Sequence, residues 1–242
     1  MVSPFKCIFV LMLCLLMMLS YALGDSGISS SNQSAVLAIH NPPSQAALDG
    51  FFAAAFTSEY GDTDRNTLIR WEEPLSIYVR GAYTTQDMTT LTEFLNELSN
   101  SVPGLPAIAF ASSENEANVV ISFVPLVEMA LNLTTYEPGN WGLMNCFSED
   151  TGIRYGLIAI ATDVTEQEDR NHLIMEEFVN MLGLTNDLGF APDSIIYQPY
   201  TRTQALSAMD YEMLNLLYSP YLLSGMKEDE ARQALFENYQ NH

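Results

Sequence analysis

Apolar positions along the chain recur with two different periods. Segments in which they recur every three or four residues predict helices, and segments in which they alternate with polar residues predict strands. The predicted helices are 44–60, 84–98, 166–182, 206–218 and 227–239, and the predicted strands are 75–81, 107–112, 117–124, 141–148 and 153–162. A short loop that contains Gly152 joins the last two strands and predicts an antiparallel hairpin. This mixture predicts an α+β fold.

The predicted helix over 166–182 combines an apolar arc with a polar stripe. The arc consists of Ile174, Met175, Phe178, Val179, Met181 and Leu182, and the stripe on the opposite side consists of His172, Glu176, Asn180 and Gly183. Thr165 and Glu168 have the spacing of a capping box at its start, and Gly183 suits the left-handed position after its end. We expect His172, on an exposed face, to be solvated or to act in capping.

Residues 1–24 have the pattern of a secretory signal peptide. Lys6 is their only charged residue, a long apolar run follows it, and small residues precede the predicted cleavage point. The apolar run is shorter than the roughly 20 residues that a membrane span needs. We predict that residues 25–43 form a flexible leader and that residues 44–242 form a single domain. The protein is therefore expected to be exported, to the periplasm or to the medium.

The chain is strongly acidic, with 30 Asp and Glu against 9 Lys and Arg and a formal net charge of −21. This charge argues against nucleic acid and anionic lipid surfaces as partners, and no segment after the signal is apolar enough to span a membrane. The charge favours solubility outside the cytoplasm, and attraction of cations or of a basic protein is the alternative. Cys146 is the one cysteine after the signal, so we expect a buried small apolar residue rather than a disulfide.

The end of this helix and the following turn have the spacing Glu176-Glu177-x-x-Asn180-x-x-Gly183-x-x-Asn186. This spacing resembles HExxHxxGxxH, the zinc-binding motif of the metzincin peptidases, with all three histidine positions replaced. The segment 194–200 resembles the Met-turn that lies beneath the metal in those enzymes, with Ile196 in the methionine position. The combined signature also resembles that of a family of exported bacterial proteins with a domain of unknown function. The resemblance extends over about residues 45–230.

The resemblance implies a metzincin-like, or zincin-like, fold. In this fold a twisted mixed sheet of about five strands is backed by helices, and the active-site-type helix precedes a degenerate Met-turn and C-terminal helices. Residues 141–148 would then be an antiparallel edge strand of the kind that pairs with an extended substrate. Asp187 and Tyr197 would support the turns beside the site, and Asp210 would tie the following helix to the Met-turn-like segment.

The residues in the ligand positions do not have the chemistry of a zinc site. Zinc in a metzincin needs three neutral imidazoles and a glutamate that takes a proton from the metal-bound water. Glu177 keeps the place of that general base, but Glu176, Asn180 and Asn186 offer carboxylate and amide oxygens instead of nitrogen. We therefore expect no zinc and no other cofactor, while a calcium-like ion that also uses Asp187 and Asp193 is an alternative.

Two functions of different class follow. The first, favoured because every histidine ligand is absent, is a non-catalytic exported protein that keeps a peptide-binding cleft and binds a polypeptide or a cell-envelope component. The alternative is a peptidase-like hydrolase in which Glu177 is the general base and Glu176, Asn180 and Asn186 surround a metal ion or an ordered water.

Overall fold

The computed structural model describes residues 42–57, 67–149 and 152–239. The predicted signal peptide and residues 25–41 of the predicted leader lie outside these ranges. Within them, no helix combines the length and the apolar character needed to cross a membrane.

The described ranges contain six helices and five strands. The helices are α1 (Gln45–Ala55), α2 (Thr85–Ser101), α3 (Met129–Asn132), α4 (Gln167–Leu182), α5 (Ala208–Leu217) and α6 (Glu228–Tyr239). The strands are β1 (Leu75–Gly81), β2 (Ile108–Phe110), β3 (Val119–Val124), β4 (Gly142–Glu149) and β5 (Gly152–Ala161). The five long helices and all five strands overlap the segments whose periodicity predicted them, and α2, β4 and β5 extend beyond the predicted bounds by one to three residues. The short helix α3 was not predicted, since four residues are too few for a helical period to be visible.

The five strands form one mixed sheet in the order β2-β1-β3-β5-β4. Strands β1, β2, β3 and β5 are parallel, while β4 is antiparallel to β5 and lies at the edge. Every residue of β3 is buried, as expected for the central strand of a parallel region. The α+β class, the five-stranded mixed sheet and the antiparallel hairpin predicted from the sequence are thus confirmed.

Helix α4 packs its apolar arc into the main core, and each fully buried side chain there stabilises the fold by roughly 1.5–3 kcal/mol. The ring of Phe178 meets that of Phe94 on α2 edge to face, with centroids 6.2 Å apart. The start of the helix differs from the prediction by one residue. Glu166 is the N-cap, and its backbone N–H donates to Asp169 at 2.8 Å, so the capping box does not consist of Thr165 and Glu168.

The polar stripe of α4 is also largely buried, contrary to the expectation for His172. The side chain of His172 is 1% exposed, and its Nδ1 lies 3.0 Å from the carbonyl oxygen of Thr203. Its ring also meets the ring of Tyr200 edge to face, with centroids 6.0 Å apart. The segment after the Met-turn-like loop therefore covers this side of the helix, which the sequence of the helix alone could not indicate.

Three contacts fix the C-terminal end of α4. Gly183 follows it with a φ of 128°, and a Cβ at this position would lie 2.3 Å from the carbonyl oxygen of Ile69. The indole of Trp71 donates to the carbonyl of Met181 at 3.0 Å, and the hydroxyl of Tyr218 donates to that of Leu182 at 2.9 Å. Carbonyl groups that a helix end leaves unpaired are thus satisfied by buried side chains.

Candidate functional site

A cleft of about 540 Å³ lies between the edge strand β4 and helix α4. Its walls come from β4, from the loop before β4, from α4, and from the two loops that follow α4. The lining residues are Thr134, Thr135, Gly139, Asn140, Trp141, Gly142, Leu143, Met144, Asn145, Cys146, Phe147, Leu173, Glu176, Glu177, Asn180, Thr185, Asp187, Gln198 and Tyr200. The sequence motif and the edge strand, which are separate in the chain, therefore meet in one place.

Glu177 lies where β4 approaches α4 closely at Gly142. Its side chain is buried, and a Cβ built on Gly142 would lie only 2.8 Å from its Oε1 and 2.8 Å from a methyl group of Leu173. Any side chain at this position would require the Glu177 carboxylate and the Leu173 side chain to move. The sequence analysis gave no sign of this role of Gly142, which lay inside the predicted strand 141–148.

Asn180, one turn after Glu176 on α4, is 9% exposed and lines the same cleft. Its amide nitrogen donates to Oδ1 of Asp187 at 3.3 Å. Because an ionised carboxylate only accepts, this bond fixes the orientation of the amide. The amide oxygen, Oδ1, is buried and has no hydrogen-bond partner among the described residues. The cleft thus contains an acceptor for which the described residues supply no partner.

Glu176 lies between this amide and His172. One of its carboxylate oxygens is 3.4 Å from Nε2 of His172, and its side chain is largely buried. Burial lowers the pKa of His172, and the carbonyl of Thr203 and the charge of Asp169 oppose that shift without reversing it. The imidazole is therefore held neutral, with Nδ1 directed to Thr203 rather than into the cleft.

Asn186, in the third ligand position of the motif, has a different environment. The side-chain amide of Asn186 donates to the carbonyl of Ala53 on α1 at 3.3 Å and to that of Asp187 at 3.1 Å. Asn186 is not among the residues that line the cleft, whereas its neighbour Asp187 is. The turn after Gly183 thus brings together Glu176, Glu177, Asn180 and Asp187 and leaves Asn186 against α1.

The Met-turn-like segment forms a buried support beneath the site. Ile196 is fully buried, and its carbonyl accepts from the backbone of Leu188 at 2.8 Å. Tyr197 forms an isolated parallel bridge with Leu188. Asp210, which is fully buried on α5, accepts from the hydroxyl of Ser194 at 2.5 Å and from the backbone of Ile195 at 3.1 Å. One carboxylate therefore joins α5 to the turn.

A polar network at the start of α4 holds the loop that follows this turn. Asp169 accepts from the hydroxyl of Tyr200 and from Nε of Arg202, the latter at 2.8 Å. Burial raises the pKa of Asp169, but these bonds and that from the Glu166 backbone outweigh it and lower the pKa. Burial and the bond to Asp169 raise the pKa of Tyr200 to about 12. Sequence reasoning missed this network because its members lie about 30 residues apart without a motif.

The rim of the cleft is tied to β4 by Asn145. Its Oδ1 accepts from the backbone of Thr134 at 2.7 Å and of Thr135 at 3.3 Å, and its amide nitrogen donates to the Thr135 hydroxyl at 2.8 Å. The loop before β4 is thereby fixed beside the strand. Cys146, which we expected to behave as a small apolar residue, packs partly buried against the main core and lines the cleft.

The chemistry of the lining does not fit the zinc ion that the metzincin motif implies. The motif residues supply carboxylate and amide oxygens, whereas zinc prefers nitrogen and sulfur. His172, the one histidine in the described ranges, lies outside the lining, and its Nδ1 is bound to the carbonyl of Thr203. Within those ranges, no three side chains of His, Cys, Asp or Glu form a group that could hold a metal ion.

Comparison with known proteins gives one family and several structural likenesses. Two solved structures of myroilysin, a metzincin-type peptidase, are similar at 13% and 12% identity, each with a TM-score of 0.40. The matches cover 63% and 70% of this chain and 97% and 93% of the myroilysin chains. A search of the curated proteins gave no match. The family model described as "Protein of unknown function (DUF2927)" matches residues 44–237, and the chain therefore belongs to this family.

Proposed function

We propose that this protein binds an extended polypeptide, which adds as a strand to the outer edge of β4. The observation that carries the proposal is the position of β4: it is the edge strand of the sheet, and it lines the cleft along most of its length. No strand of the described residues pairs with its outer edge. Edge strands bind extended peptides through main-chain hydrogen bonds, while pockets beside the edge select side chains.

The register of the hairpin identifies the backbone groups available for this pairing. The carbonyl of Trp141 accepts from the backbone N–H of Ala161 at 2.7 Å, so Trp141 faces β5. Since backbone groups alternate along an antiparallel strand, those of Gly142 and Met144 face the outer edge. The Met144 carbonyl also accepts from the Asn145 side chain at 3.0 Å, which leaves one of its two lone pairs for a ligand.

We further propose that binding is not followed by catalysis. The support is the donor set of the cleft, which lacks the imidazoles that a zinc peptidase uses to activate water. Glu177 by itself is a buried carboxylate beneath Gly142. We place this binding outside the cytoplasm, in the periplasm or the medium, because residues 1–24 have the sequence pattern of a signal peptide. The polypeptide would accordingly be exported or belong to the cell envelope.

The experiment is a binding assay with capped octapeptides, read by tryptophan fluorescence. The chain has 2 tryptophans, and Trp71 is 1% exposed, so a ligand in the cleft should change mainly the emission of Trp141. The best-binding peptide is then N-methylated on alternate amides, in two versions shifted by one residue. We expect one version to bind at least about tenfold more weakly and the other to bind as before, because only one set of amides faces β4.

Equal affinity of the two methylated versions would contradict strand addition, as would the absence of binding by any peptide. A complementary measurement is hydrogen exchange, in which saturating peptide should slow exchange of the Met144 amide. Thr90 on α2 offers a control amide, since its side chain bonds to Asn171 on α4, away from the residues that line the cleft. Its exchange rate should not change.

The alternative function is hydrolysis of the bound peptide. It is kept because Glu177, in the position of the general base, lines the same cleft as β4. After long incubation of the octapeptides with the protein, their masses would be measured by mass spectrometry. Intact peptides support the binding function, whereas cleavage by the wild-type protein that disappears in Glu177→Gln would establish the hydrolase and overturn the non-catalytic proposal.

A further inference from the structure

We infer that the cleft selects polypeptides with a positively charged side chain, arginine above all, and that Asn180 accepts a hydrogen bond from that side chain. The inference deepens the proposed function and rests on it. It concerns which residue of a bound strand enters the space between β4 and α4, and it follows from the charge of the lining, from one unpaired acceptor and from the aromatic residues nearby.

The charges of the lining all have one sign. Glu176, Glu177 and Asp187 contribute carboxylates, and no Lys, Arg or His of the described residues is among the lining residues. Carboxylates that line one cleft give it a negative potential, which attracts cations and repels anions. A basic side chain would therefore be favoured in the cleft over a neutral or acidic one.

Asn180 adds an observation that is independent of charge. Its Oδ1 is buried, faces no donor within the described part of the chain, and cannot rotate away because the amide nitrogen is bound to Asp187. Buried acceptors in folded proteins nearly always have a donor, and the exceptions concentrate at functional sites. A ligand that brings an N–H group into the cleft would supply the missing donor.

The aromatic residues of the lining distinguish the kind of cation. Trp141 and Tyr200 both line the cleft, and their rings meet at a centroid distance of 5.7 Å. Phe147, also in the lining, is 40% exposed. Aromatic faces attract guanidinium and ammonium groups, and a guanidinium can also stack on them. With five N–H donors, arginine can reach an amide oxygen and several carboxylates at once, which lysine does less well.

The test uses an octapeptide with one central position varied among arginine, lysine, citrulline and glutamate. Citrulline has the shape of arginine without its charge. We expect the arginine peptide to bind at least about tenfold more tightly than the citrulline peptide, with lysine between them and glutamate weakest. Raising the salt concentration should reduce the difference between arginine and citrulline, because it screens the carboxylates.

Variants of the cleft residues test which side chains cause the preference for arginine. Asn180→Ala and Glu176→Gln should each reduce the preference for arginine over citrulline several-fold while the citrulline peptide still binds, which also demonstrates that the variant is folded. Glu116→Gln removes the same charge at an exposed position in the turn before β3, and it should leave the preference unchanged. If net charge alone caused the preference for arginine, Glu116→Gln would reduce it as much as Glu176→Gln does.

The outcomes separate the two proposals. Equal binding of the arginine and citrulline peptides would overturn the selection of a cation and leave strand addition intact. Failure of every peptide to bind would overturn both. Calcium or manganese added to chelator-treated protein gives a third result: if one ion binds per chain and abolishes the preference for arginine, the carboxylates and Asn180 form a metal site, and the inference is overturned.

Discussion

Replacement of Asp210 by alanine should destabilise the protein by about 3–5 kcal/mol, because this carboxylate is the common acceptor of two elements. It is fully buried and accepts from the hydroxyl of Ser194, from the backbone of Ile195 and from both the backbone and the hydroxyl of Ser207. The first two donors belong to the turn beneath the cleft, and Ser207 is the N-cap of α5.

The magnitude follows from the donors that lose their acceptor. Ile195 and Ser194 are both almost completely buried, and each unsatisfied donor of this kind costs about 1–3 kcal/mol. Loss of the capping interaction at Ser207 adds about 1 kcal/mol. These terms share one carboxylate and do not add completely, which gives the range above. The loss is a large part of the 5–15 kcal/mol that is typical of a folded domain.

Urea denaturation followed by circular dichroism measures the change. With a slope of about 2–3 kcal/mol per M, the midpoint of Asp210→Ala should fall by about 1–2.5 M. Asp210→Asn, which keeps one acceptor oxygen, should lose about half as much. Asp193→Ala is the matched control, since Asp193 is exposed on the same loop, and it should change stability by less than about 0.5 kcal/mol. A midpoint for Asp210→Ala equal to that of this control would refute the reasoning.

Three further predictions concern other positions. Gly183→Ala should cost at least about 2 kcal/mol in the same denaturation assay, since it combines a positive φ with a close approach to the Ile69 carbonyl, and an unchanged midpoint would contradict this. Gly142→Ala should weaken peptide binding and cost about 1 kcal/mol of stability, because its methyl group displaces the Glu177 carboxylate; full affinity in a titration would argue against the cleft as the binding site. The lowered pKa of His172 means that the unfolded chain binds more protons, so stability should fall as the pH drops below about 6.5. His172→Gln should have a flatter dependence over that range, and identical slopes would show that His172 does not titrate as described.

The periodicity of apolar residues was sufficient to predict most of the fold. Strands and long helices were predicted because each buries one face, and the burial imposes a period of two or of about 3.6 on the sequence. The same reasoning failed for His172, whose burial depends on Tyr200 and Thr203 in a segment about 30 residues later. The sequence of a helix indicates which of its faces is apolar, but it does not indicate which residues of a distant loop pack on a given face.

The cleft could be predicted from the sequence only in part, for a similar reason. The spacing of Glu176 and Asn180 identified one face of a helix, since residues four apart lie on the same side. Which of Asn186 and Asp187 would join them depended on the backbone of the turn, and a turn has no period from which a direction can be inferred. The approach of Gly142 to Glu177 required the packing of the sheet on α4, a contact between two elements that the sequence does not pair.

The outer edge of β4, which pairs with no strand in the part of the chain that the structure describes, has a consequence for self-association. An unpaired strand can bind a second copy of itself as readily as a ligand, and this is a common start of aggregation. At neutral pH the net charge of −21 keeps two such edges apart. That protection disappears near the isoelectric point of about 4.1, so acid should turn the edge into a site of assembly, visible as increased light scattering. A peptide bound along β4 should suppress this scattering, since an occupied edge has no backbone groups left to offer a second copy.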